Sequence, residues 1–451
     1  MWLLKDTSKY ISRCWGGNGG TRGARSSNGK GPNWRAVEPC RAERFTWWVP
    51  PLGKGEVEGK GLVGSVRRSV LKVMMFVPSG LEGLLGIGGA EASTRRLMWA
   101  LRQRGIASAV MVFGYPTQVT GWLSEYPVYF ITPHTEPCWH KPRTWASFGR
   151  SVLQIHLAMR KANADILHVQ GAWMGVMAPA VAAALPRQWK MVVTFHGSDI
   201  RIVAPRSATH RRWIERLVRR CGAVTAVSRE LATRAHELLP SLKMPVHVIP
   251  NGVESFWFEQ GHRRDHEEAY ILFVGRLHPV KGIDILIAAW KNLKQKTKLP
   301  VNLWLVGDGP EREALEKMVE TNGLQESVRF WGAIQDAQRL REMYAGSIAL
   351  VLPSRSEGMP VVLLEAGACG TICVGSKVGG IPEVIVDGET GFLFEPGDTD
   401  ALCDALLRVL ALSEAERSRM SAQAREHIRQ NFSMDVVTER YIEVYQQVLG
   451  R

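Results

Sequence analysis

The sequence predicts an α/β protein with two successive doubly wound domains, each built on a parallel sheet between layers of helices. Three observations support this fold class. Short apolar runs alternate with segments of helical periodicity from residue 71 onward. Turns rich in Gly and Pro separate the segments, and one polar stretch at 259–268 divides the series in two. The length of 451 residues suits roughly two or three domains with buried cores.

The first series opens with the apolar run 70–77, which ends at Pro78 and is typical of a strand buried on both faces. A Gly-rich turn and a helix over Glu91–Arg104 follow, an order that begins a doubly wound domain. Further strands are expected at Ser108–Phe113, Ile166–Gln170, Met191–Phe195, Ala223–Val227 and Val246–Pro250. Further helices are expected at Phe148–Ala162, Met177–Ala184, Arg211–Arg220 and Arg229–Leu239.

The second series begins after the polar linker 259–268. Its strands are expected at Tyr270–Val274, Val301–Val306, Val328–Phe330, Ile348–Leu352 and Ile372–Val374. Its helices are expected at Ile283–Leu293, Glu311–Asn322, Gln338–Gly346, Pro360–Cys369 and Thr399–Leu412. The series contains no G-x-G-x-x-G fingerprint, so a dinucleotide cofactor is not expected.

The net charge of +14 comes mostly from residues 1–70, where 13 Lys and Arg outnumber 5 Asp and Glu. This segment is rich in Gly, lacks periodicity and holds five of the 16 tryptophans. It predicts a disordered basic extension, either a flexible arm or a leader read from a start codon placed too far upstream. The rest of the chain carries only +6, so a nucleic-acid partner is not expected.

Cysteine usage and hydropathy limit the remaining classes. The seven cysteines form no paired C-x-x-C spacing, and the group His134, Cys138 and His140 lacks a second ligand pair, so no metal site is expected. No run of 18 apolar residues and no signal-peptide pattern occurs, which predicts a cytoplasmic protein. The basic helix 211–220 either contacts anionic lipid at the inner membrane face or forms a solvated surface.

Three turns of the second series fall where strands end and helices begin, the edge at which doubly wound sheets bind ligands. The first, 275–282, places Arg276 and Lys281 five residues apart between two glycines. Two fixed cations on such a turn suit a diphosphate, although two solvated cations would give the same pattern. The second, Gly307–Pro310, permits close approach of the backbone to a planar ring and is also an ordinary turn sequence.

The third turn carries two glutamates around a helix start. Pro360 is expected as the first helical residue, which puts Glu357 on the loop and Glu365 between one and two turns inside the helix. The N-terminus of a helix favours an anion, and a carboxylate on each side can accept hydrogen bonds from sugar hydroxyls. A diphosphate with a sugar on each side fits this pattern, whereas a solvated helix face would explain two glutamates alone.

Residues 71–451 resemble the family-4 retaining glycosyltransferases of the GT-B fold, in which two Rossmann-like domains face each other across a cleft. Six motifs occur in the family's order. They are matched at Gly88–Glu91, His196–Asp199, Pro250–Val253, Gly275–Gly282, Glu357 with Glu365, and Gly379–Glu383.

The resemblance implies three structural segments after the extension 1–70. Residues 71–253 would form the acceptor-side domain, and residues 254–433 would bind the nucleotide sugar. The last segment, 434–451, with a helix at Val436–Leu449, would pack back on the first domain.

The resemblance also implies which residues bind the donor. Arg276 and Lys281 would bind its diphosphate, with Gly88 and Gly89 close by, and Glu365 would bind the ribose. No metal or other cofactor is required in the family, because these two cations neutralise the leaving group.

The transferred sugar and its reacting carbon would have their own set of residues. The resemblance implies that Glu357 binds the sugar together with the backbone of Gly358, Met359 and Pro360. It implies that His196 reaches across the cleft toward the reacting carbon. Without the resemblance, a histidine at a strand end would be interpreted as a cap.

These implications predict a hexosyltransferase that moves a hexose from a nucleotide diphosphate sugar to a hydroxyl of a glycan or lipid-linked acceptor, in cell-envelope or exopolysaccharide synthesis. Front-face attack with retention is expected, because no side chain is an obvious covalent nucleophile. The acceptor is expected at the first domain, near loop 114–150. Two alternatives stay open: a nucleotide-sugar epimerase of the same fold, and a catalytically silent nucleotide-sugar-binding subunit.

Overall fold

The computed structural model describes residues 71–80, 89–113, 121–132, 142–171, 181, 183–184, 189–259 and 268–450. Several expectations from the sequence lie outside these residues. They are the extension 1–70, Gly88, most of the helix at Met177–Ala184, most of the linker 259–268 and much of the loop 114–150.

The described strands form two parallel sheets. The seven-stranded sheet has the order β3-β2-β1-β4-β5-β6-β7, and the six-stranded sheet has the order β10-β9-β8-β11-β12-β13. The first sheet contains β1 (Lys72–Gly80), β2 (Ala107–Phe113), β3 (Val128–Ile131), β4 (Ile166–Gln170), β5 (Lys190–Phe195), β6 (Ala223–Ala226) and β7 (Val246–Val248). The second contains β8 (Ala269–Val274), β9 (Val301–Val306), β10 (Val328–Gly332), β11 (Ala349–Leu352), β12 (Cys373–Ser376) and β13 (Gly391–Phe394).

Helices connect the strands. Those between strands of the first sheet are α1 (Gly89–Gln103), α2 (Pro142–Ala162), α3 (Ala208–Val218) and α4 (Arg229–Leu238). Those that follow β8 are α5 (Ile283–Lys296), α6 (Arg312–Thr321), α7 (Ala337–Gly346), α8 (Val361–Ala368), α9 (Ile381–Val384), α10 (Thr399–Leu410), α11 (Glu414–Phe432) and α12 (Met434–Leu449). Short helical turns occur at Gly121–Glu125, Asp199–Val203, Ala204–Arg206, Ser255–Phe258 and Pro279–Lys281.

The predicted fold class is confirmed: each sheet is parallel and doubly wound. We call β1–β7 with α1–α4 and α12 the first lobe, and β8–β13 with α5–α11 the second lobe. In each lobe the chain direction across the sheet reverses once, between β1 and β4 and between β8 and β11. Ligands bind doubly wound sheets in the crevice at such a point, beyond the carboxyl ends of the strands.

The core of the first lobe has two layers, and β1 contributes to both. Met74 and Phe76 belong to the layer covered by α2, whereas Val73 and Met75 belong to the layer covered by α1 and α12. Because side chains alternate across a strand, the continuous apolar run of β1 is required by burial on both faces.

Helix α12 is the last element of the chain and lies on the first lobe, against α1 and β5. Tyr441 and Tyr445 are buried there among the apolar side chains of that layer. The chain crosses between the lobes twice, and the crossings are hydrogen-bonded: the Val253 N–H donates to Phe432 O at 2.9 Å, and the Met434 N–H donates to Val253 O at 2.9 Å.

Four elements were not predicted, among them the four-residue helix α9. β3 and β13 are four-residue strands at sheet edges, too short to show a period. α11 is polar around most of its surface and buries mainly Met420, Ala424, Ile428 and Phe432. α2 begins at Pro142, six residues before the predicted start, because proline is accepted in the first turn of a helix.

In the described part of the chain, no helix is long and apolar enough to cross a membrane.

Candidate active site

The two lobes meet at two loops, one after β5 and the other after β11. At the contact point a Cβ atom on Gly358 would lie 2.2 Å from the carbonyl oxygen of His196. No side chain fits in that space, so glycine at 358 allows the loops to touch. The cleft between the lobes therefore places the histidine motif of the first lobe beside the glutamate motif of the second.

The two central motifs of the second lobe are in direct contact. Lys281, at the end of the short turn after β8, donates from Nζ to Oε1 of Glu357 at 2.6 Å. Ser354 donates its hydroxyl to the same oxygen at 2.7 Å. All three side chains sit at the carboxyl edge where the strand order reverses, so the fold unites a cation and a carboxylate 76 residues apart in the chain.

Arg276 adds a second positive charge to this edge. Its side chain is exposed and makes no ion pair within the described residues. Burial lowers the pKa of the nearby His278, and the charges of Arg276 and Lys281 lower it further. The turn therefore presents positive charge that the protein only partly neutralises.

The glycines of the Gly307–Pro310 turn lie against the neighbouring loop. A Cβ atom on Gly307 would lie 1.8 Å from the carbonyl oxygen of Gly275, and one on Gly309 would lie 2.3 Å from that of Leu277. These glycines let the turn pack against the loop that carries Arg276. Their role is to support the cationic loop.

The loop before α8 is held from both lobes. Asn251 donates from Nδ2 to the carbonyl oxygen of Met359 at 2.8 Å, and the Gly380 N–H donates to that of Gly358 at 2.8 Å. Pro360 is the N-cap of α8, with Val361 as the first helical residue, which corrects the predicted helix start by one position. The helix still begins next to Glu357.

Glu365 is part of a buried charge network that joins the lobes. Its Oε1 accepts from Nη2 of Arg96 at 2.6 Å, and its Oε2 accepts from the Tyr344 hydroxyl at 3.2 Å. Arg96 also donates from Nε to Oε1 of Glu254 at 2.7 Å and contacts the carbonyl oxygen of Gly252 at 3.4 Å. The side chains of Arg96 and Glu365 are only 7% and 10% exposed.

The charges in this network stabilise one another. Burial alone would lower the pKa of Arg96, but Glu254 and Glu365 raise it above its usual value. Burial raises the pKa of Glu365, and Arg96 opposes that shift. The arginine thus favours the charged form of a buried carboxylate, against the effect of burial, at the position where the resemblance implies ribose binding.

His196 follows β5 and is held at two points. Its Nε2 lies 2.8 Å from Oε1 of Gln170, and its backbone N–H donates to Oδ2 of Asp199 at 3.2 Å. Oδ1 of Asp199 accepts from the Gly197 N–H at 2.9 Å and from the Ile200 N–H at 3.0 Å, which fixes the loop. Burial lowers the pKa of His196 to about 4, so the ring is neutral at neutral pH.

The other predicted motifs occupy less central places. Gly89 is the exposed first residue of α1. Glu383, at the end of the Gly379–Glu383 motif, accepts from the Arg229 N–H at 2.6 Å and so caps α4 from the second lobe. Among the residues that the structure describes, no group of three or more His, Cys, Asp or Glu side chains could hold a metal ion.

Sequence reasoning missed Arg96 and Gln170. Arg96 is four residues before Ala100 on α1, so the helical period places it on the buried face, where a charge requires a partner. Gln170 shares one face of the buried strand β4 with His168, and two polar residues at a spacing of two in such a strand were a detectable signal.

Two doubly wound lobes that face each other across a cleft, with cations and carboxylates at the carboxyl edge of one sheet, define the class of GT-B glycosyltransferases. The family model "Glycosyltransferase Family 4" matches residues 87–255, and the model "Glycosyl transferases group 1" matches residues 257–427. The chain therefore belongs to family 4 of the GT-B glycosyltransferases, as the six motifs indicated.

Known proteins agree with this membership. The N-acetyl-alpha-D-glucosaminyl L-malate synthase of Bacillus anthracis is 29% identical over 391 residues, which cover 83% of this chain and 98% of the relative. Sucrose-phosphate synthase from Thermosynechococcus elongatus has a TM-score of 0.70 at 22% identity, covering 84% of this chain and 99% of that one. Anabaena HepE in complex with UDP-glucose has a TM-score of 0.66 at 21% identity, covering 83% and 99%.

Replacement of Arg96 by Met should destabilise the protein by about 3–5 kcal/mol, because it leaves the buried carboxylate of Glu365 and the half-buried carboxylate of Glu254 without this cation. The deficit should grow as the pH rises above the ordinary pKa of a glutamate. Without Arg96 the pKa of Glu365 in the folded state rises further above its unfolded value, so stability is lost as the pH rises through it. Denaturant unfolding at several pH values measures both effects.

Arg102→Met is the matched control on the same helix. Arg102 pairs with Glu125 at 2.8 Å, but both side chains are about half exposed. Its loss should cost under about 1 kcal/mol. Equal effects of the two substitutions would show that burial does not strengthen the Arg96 network.

Proposed function

We propose that this glycosyltransferase transfers a hexose from a nucleotide diphosphate sugar to an acceptor hydroxyl, with retention of the anomeric configuration. The observation that carries the proposal is the Lys281–Glu357 contact of 2.6 Å at the reversal point of the second sheet. It puts a phosphate-binding cation beside a carboxylate that can accept hydrogen bonds from sugar hydroxyls. The UDP-glucose bound by HepE supports this class of donor.

The donor is held by charge and by the helix terminus. Arg276 and Lys281 neutralise the diphosphate, and the free N–H groups at the start of α8 lie beside Glu357 and add a positive dipole. Glu357 and the backbone of Gly358–Pro360 bind the transferred hexose. Glu365, kept charged by Arg96, accepts hydrogen bonds from the ribose hydroxyls.

The transfer follows front-face attack. The acceptor oxygen forms a bond to the anomeric carbon as the bond from that carbon to the diphosphate oxygen breaks. The hydroxyl proton passes to the departing diphosphate, whose negative charge Arg276 and Lys281 stabilise. His196 is neutral and sits across the cleft, where its ring contacts the hexose and keeps the reacting carbon oriented.

The acceptor binds on the first-lobe side of the cleft. A glycan or a lipid-linked sugar of cell-envelope or exopolysaccharide synthesis fits the fold, and so does a small hydroxy acid. The B. anthracis relative is named for an L-malate product and is covered over nearly its whole length. L-malate, simple glycosides and a lipid-linked sugar therefore form the first acceptor panel.

Release of nucleoside diphosphate from a panel of nucleotide sugars tests the donor proposal. We expect turnover with one donor, and a loss of at least about a hundredfold in Lys281→Met and in Glu357→Gln, because each removes a charged contact of roughly 1.5–3 kcal/mol and leaves its partner unpaired. Lys377→Met is the matched control. It breaks a surface contact of 2.8 Å with Glu395 and should keep the native rate.

Three results would contradict this proposal. Equal rates of nucleoside diphosphate release in the Lys281, Glu357 and Lys377 variants would show that Lys281 and Glu357 do not take part in donor turnover. Binding of a nucleotide sugar without release, with every acceptor tried, would favour a silent binding subunit. Conversion of one nucleotide sugar into its epimer without release would favour an epimerase.

The anomeric configuration of the product tests the proposed mechanism separately. An α-linked donor should give an α-linked product, because the acceptor attacks from the face that the diphosphate leaves. Proton NMR of the product formed in the first minutes distinguishes the anomers. A β-linked product would require attack from the opposite face and would contradict front-face transfer.

We also propose peripheral contact between α3 and anionic lipid. Arg211, Arg212, Arg216 and Arg219 are exposed on one helix. Co-sedimentation should occur with vesicles that contain phosphatidylglycerol, fall as salt increases, and be absent with neutral phosphatidylcholine. Serine at these four positions should abolish it, whereas serine at Arg102, Arg234 and Arg429 should not. Equal binding to both kinds of vesicle would contradict the proposal.

A further inference from the structure

We propose that Gln170 is a positioning residue for His196: its side-chain amide fixes the tautomer and the orientation of the ring, and leaves Nδ1 as a hydrogen-bond acceptor for a hydroxyl of the transferred hexose. This inference rests on the proposed function for the identity of the hexose. The contact between the two side chains does not depend on it.

The first step is the tautomer. Gln170 is the last residue of β4 and is 2% exposed, and its Oε1 lies 2.8 Å from Nε2 of His196. An amide oxygen only accepts hydrogen bonds, so the ring proton is on Nε2 and Nδ1 carries a lone pair. Nδ1 makes no hydrogen bond within the described residues.

The second step is the orientation of the amide. Nε2 of Gln170 lies 3.2 and 3.3 Å from the two ring nitrogens of His168 and 3.7 Å from Sδ of Met75. These contacts hold the NH₂ group toward the interior and the oxygen toward His196. The amide is therefore set by a layer of buried groups behind it.

The third step is the support of that layer. His168 is fully buried, with Nδ1 2.7 Å from the Tyr445 hydroxyl and Nε2 2.7 Å from Oγ1 of Thr194. Thr194 in turn contacts the Thr225 hydroxyl at 2.6 Å and the Tyr441 hydroxyl at 3.4 Å. A continuous line of polar contacts thus runs from the cleft through the first sheet to α12: the Gln170 amide lies over the His168 ring, and the two ring nitrogens pair with hydroxyls.

The fourth step is the charge of this line of polar contacts. Burial, with a smaller contribution from the neighbouring His196, lowers the pKa of His168 to about 3. Burial raises the pKa values of Tyr441 and Tyr445 on α12, and the carboxylate of Asp199 accepts backbone N–H groups of its own loop. Every titratable group that faces the rings from β4 and α12 is therefore neutral at neutral pH. An amide orients His196 without charging it, which a carboxylate would not do.

The kinetic test compares Gln170→Leu, His196→Ala and the double variant in full-length protein with the preferred donor. We expect Gln170→Leu to lower kcat about tenfold or more, with a small change in the donor KM. The double variant should match His196→Ala within about twofold, because Gln170 acts through His196. Independent, multiplying losses would overturn the proposal.

Gln154→Leu is the matched control. Its amide also supports backbone in the first lobe, with Oε1 accepting from the Thr132 N–H at 2.9 Å, but it does not touch His196. We expect native kcat from this variant. A loss equal to that of Gln170→Leu would mean that even a partly buried amide of this lobe has the same effect, and would overturn a specific role.

A second test needs no substrate. In protein labelled with ¹⁵N-histidine, long-range proton–nitrogen NMR should show His196 with its proton on Nε2, and Gln170→Leu should shift it toward a mixture of tautomers. Gln154→Leu should leave the tautomer unchanged. A proton on Nδ1 in the native protein would overturn the inference. The tautomer is measured without substrate, so this test remains valid even if the protein turns over no donor.

The pH dependence of activity in the Gln170→Glu variant is a third test. A carboxylate accepts the same hydrogen bond but stabilises the imidazolium, so the pKa of His196 should rise. Activity of the variant should then fall as the pH drops below that raised pKa, because Nδ1 becomes protonated, while the native enzyme keeps its activity there. Identical pH profiles would contradict the role of Gln170.

Discussion

The buried arginine Arg96 is the interaction on which the relation of the lobes depends. It joins a helix of the first lobe to the crossing segment at Glu254 and to α8 of the second lobe at Glu365. A buried charge is tolerated only with partners at good geometry, so all three elements must be in place together. The same contact favours the charged form of Glu365, the residue proposed to bind the ribose, and thus links the architecture to the proposed chemistry.

The cleft combines two kinds of electrostatic environment. The second lobe presents charge: Arg276 is exposed, and Lys281 and Glu357 share a short contact. The first lobe presents a neutral histidine backed by hydroxyls and an amide. In the proposed complex a diphosphate meets the cations of the second lobe, the hexose meets the carboxylate of Glu357, and the first lobe adds groups that only donate or accept hydrogen bonds.

The fold was predictable in strands such as β1 and β8, because burial on both faces requires an almost continuous run of apolar residues. It was not predictable in β3 and β13, since four-residue edge strands show no period, or in α11, whose buried residues are few. In the site, residue type and spacing pointed to Lys281 and Glu357. They could not reveal Arg96, because its partners are 158 and 269 residues away and only the folded chain brings them together.

Helix α12 has a consequence for how the chain is made. The first lobe is encoded by residues that emerge early from the ribosome, yet one of its core layers is completed by Tyr441, Val444 and Tyr445 at the very end. That layer stays uncovered while the second lobe is synthesised. During that time His168 of β4 lacks its contact with the Tyr445 hydroxyl. The second lobe is therefore synthesised before the first lobe is complete, and the nascent first lobe exposes apolar surface until α12 has emerged.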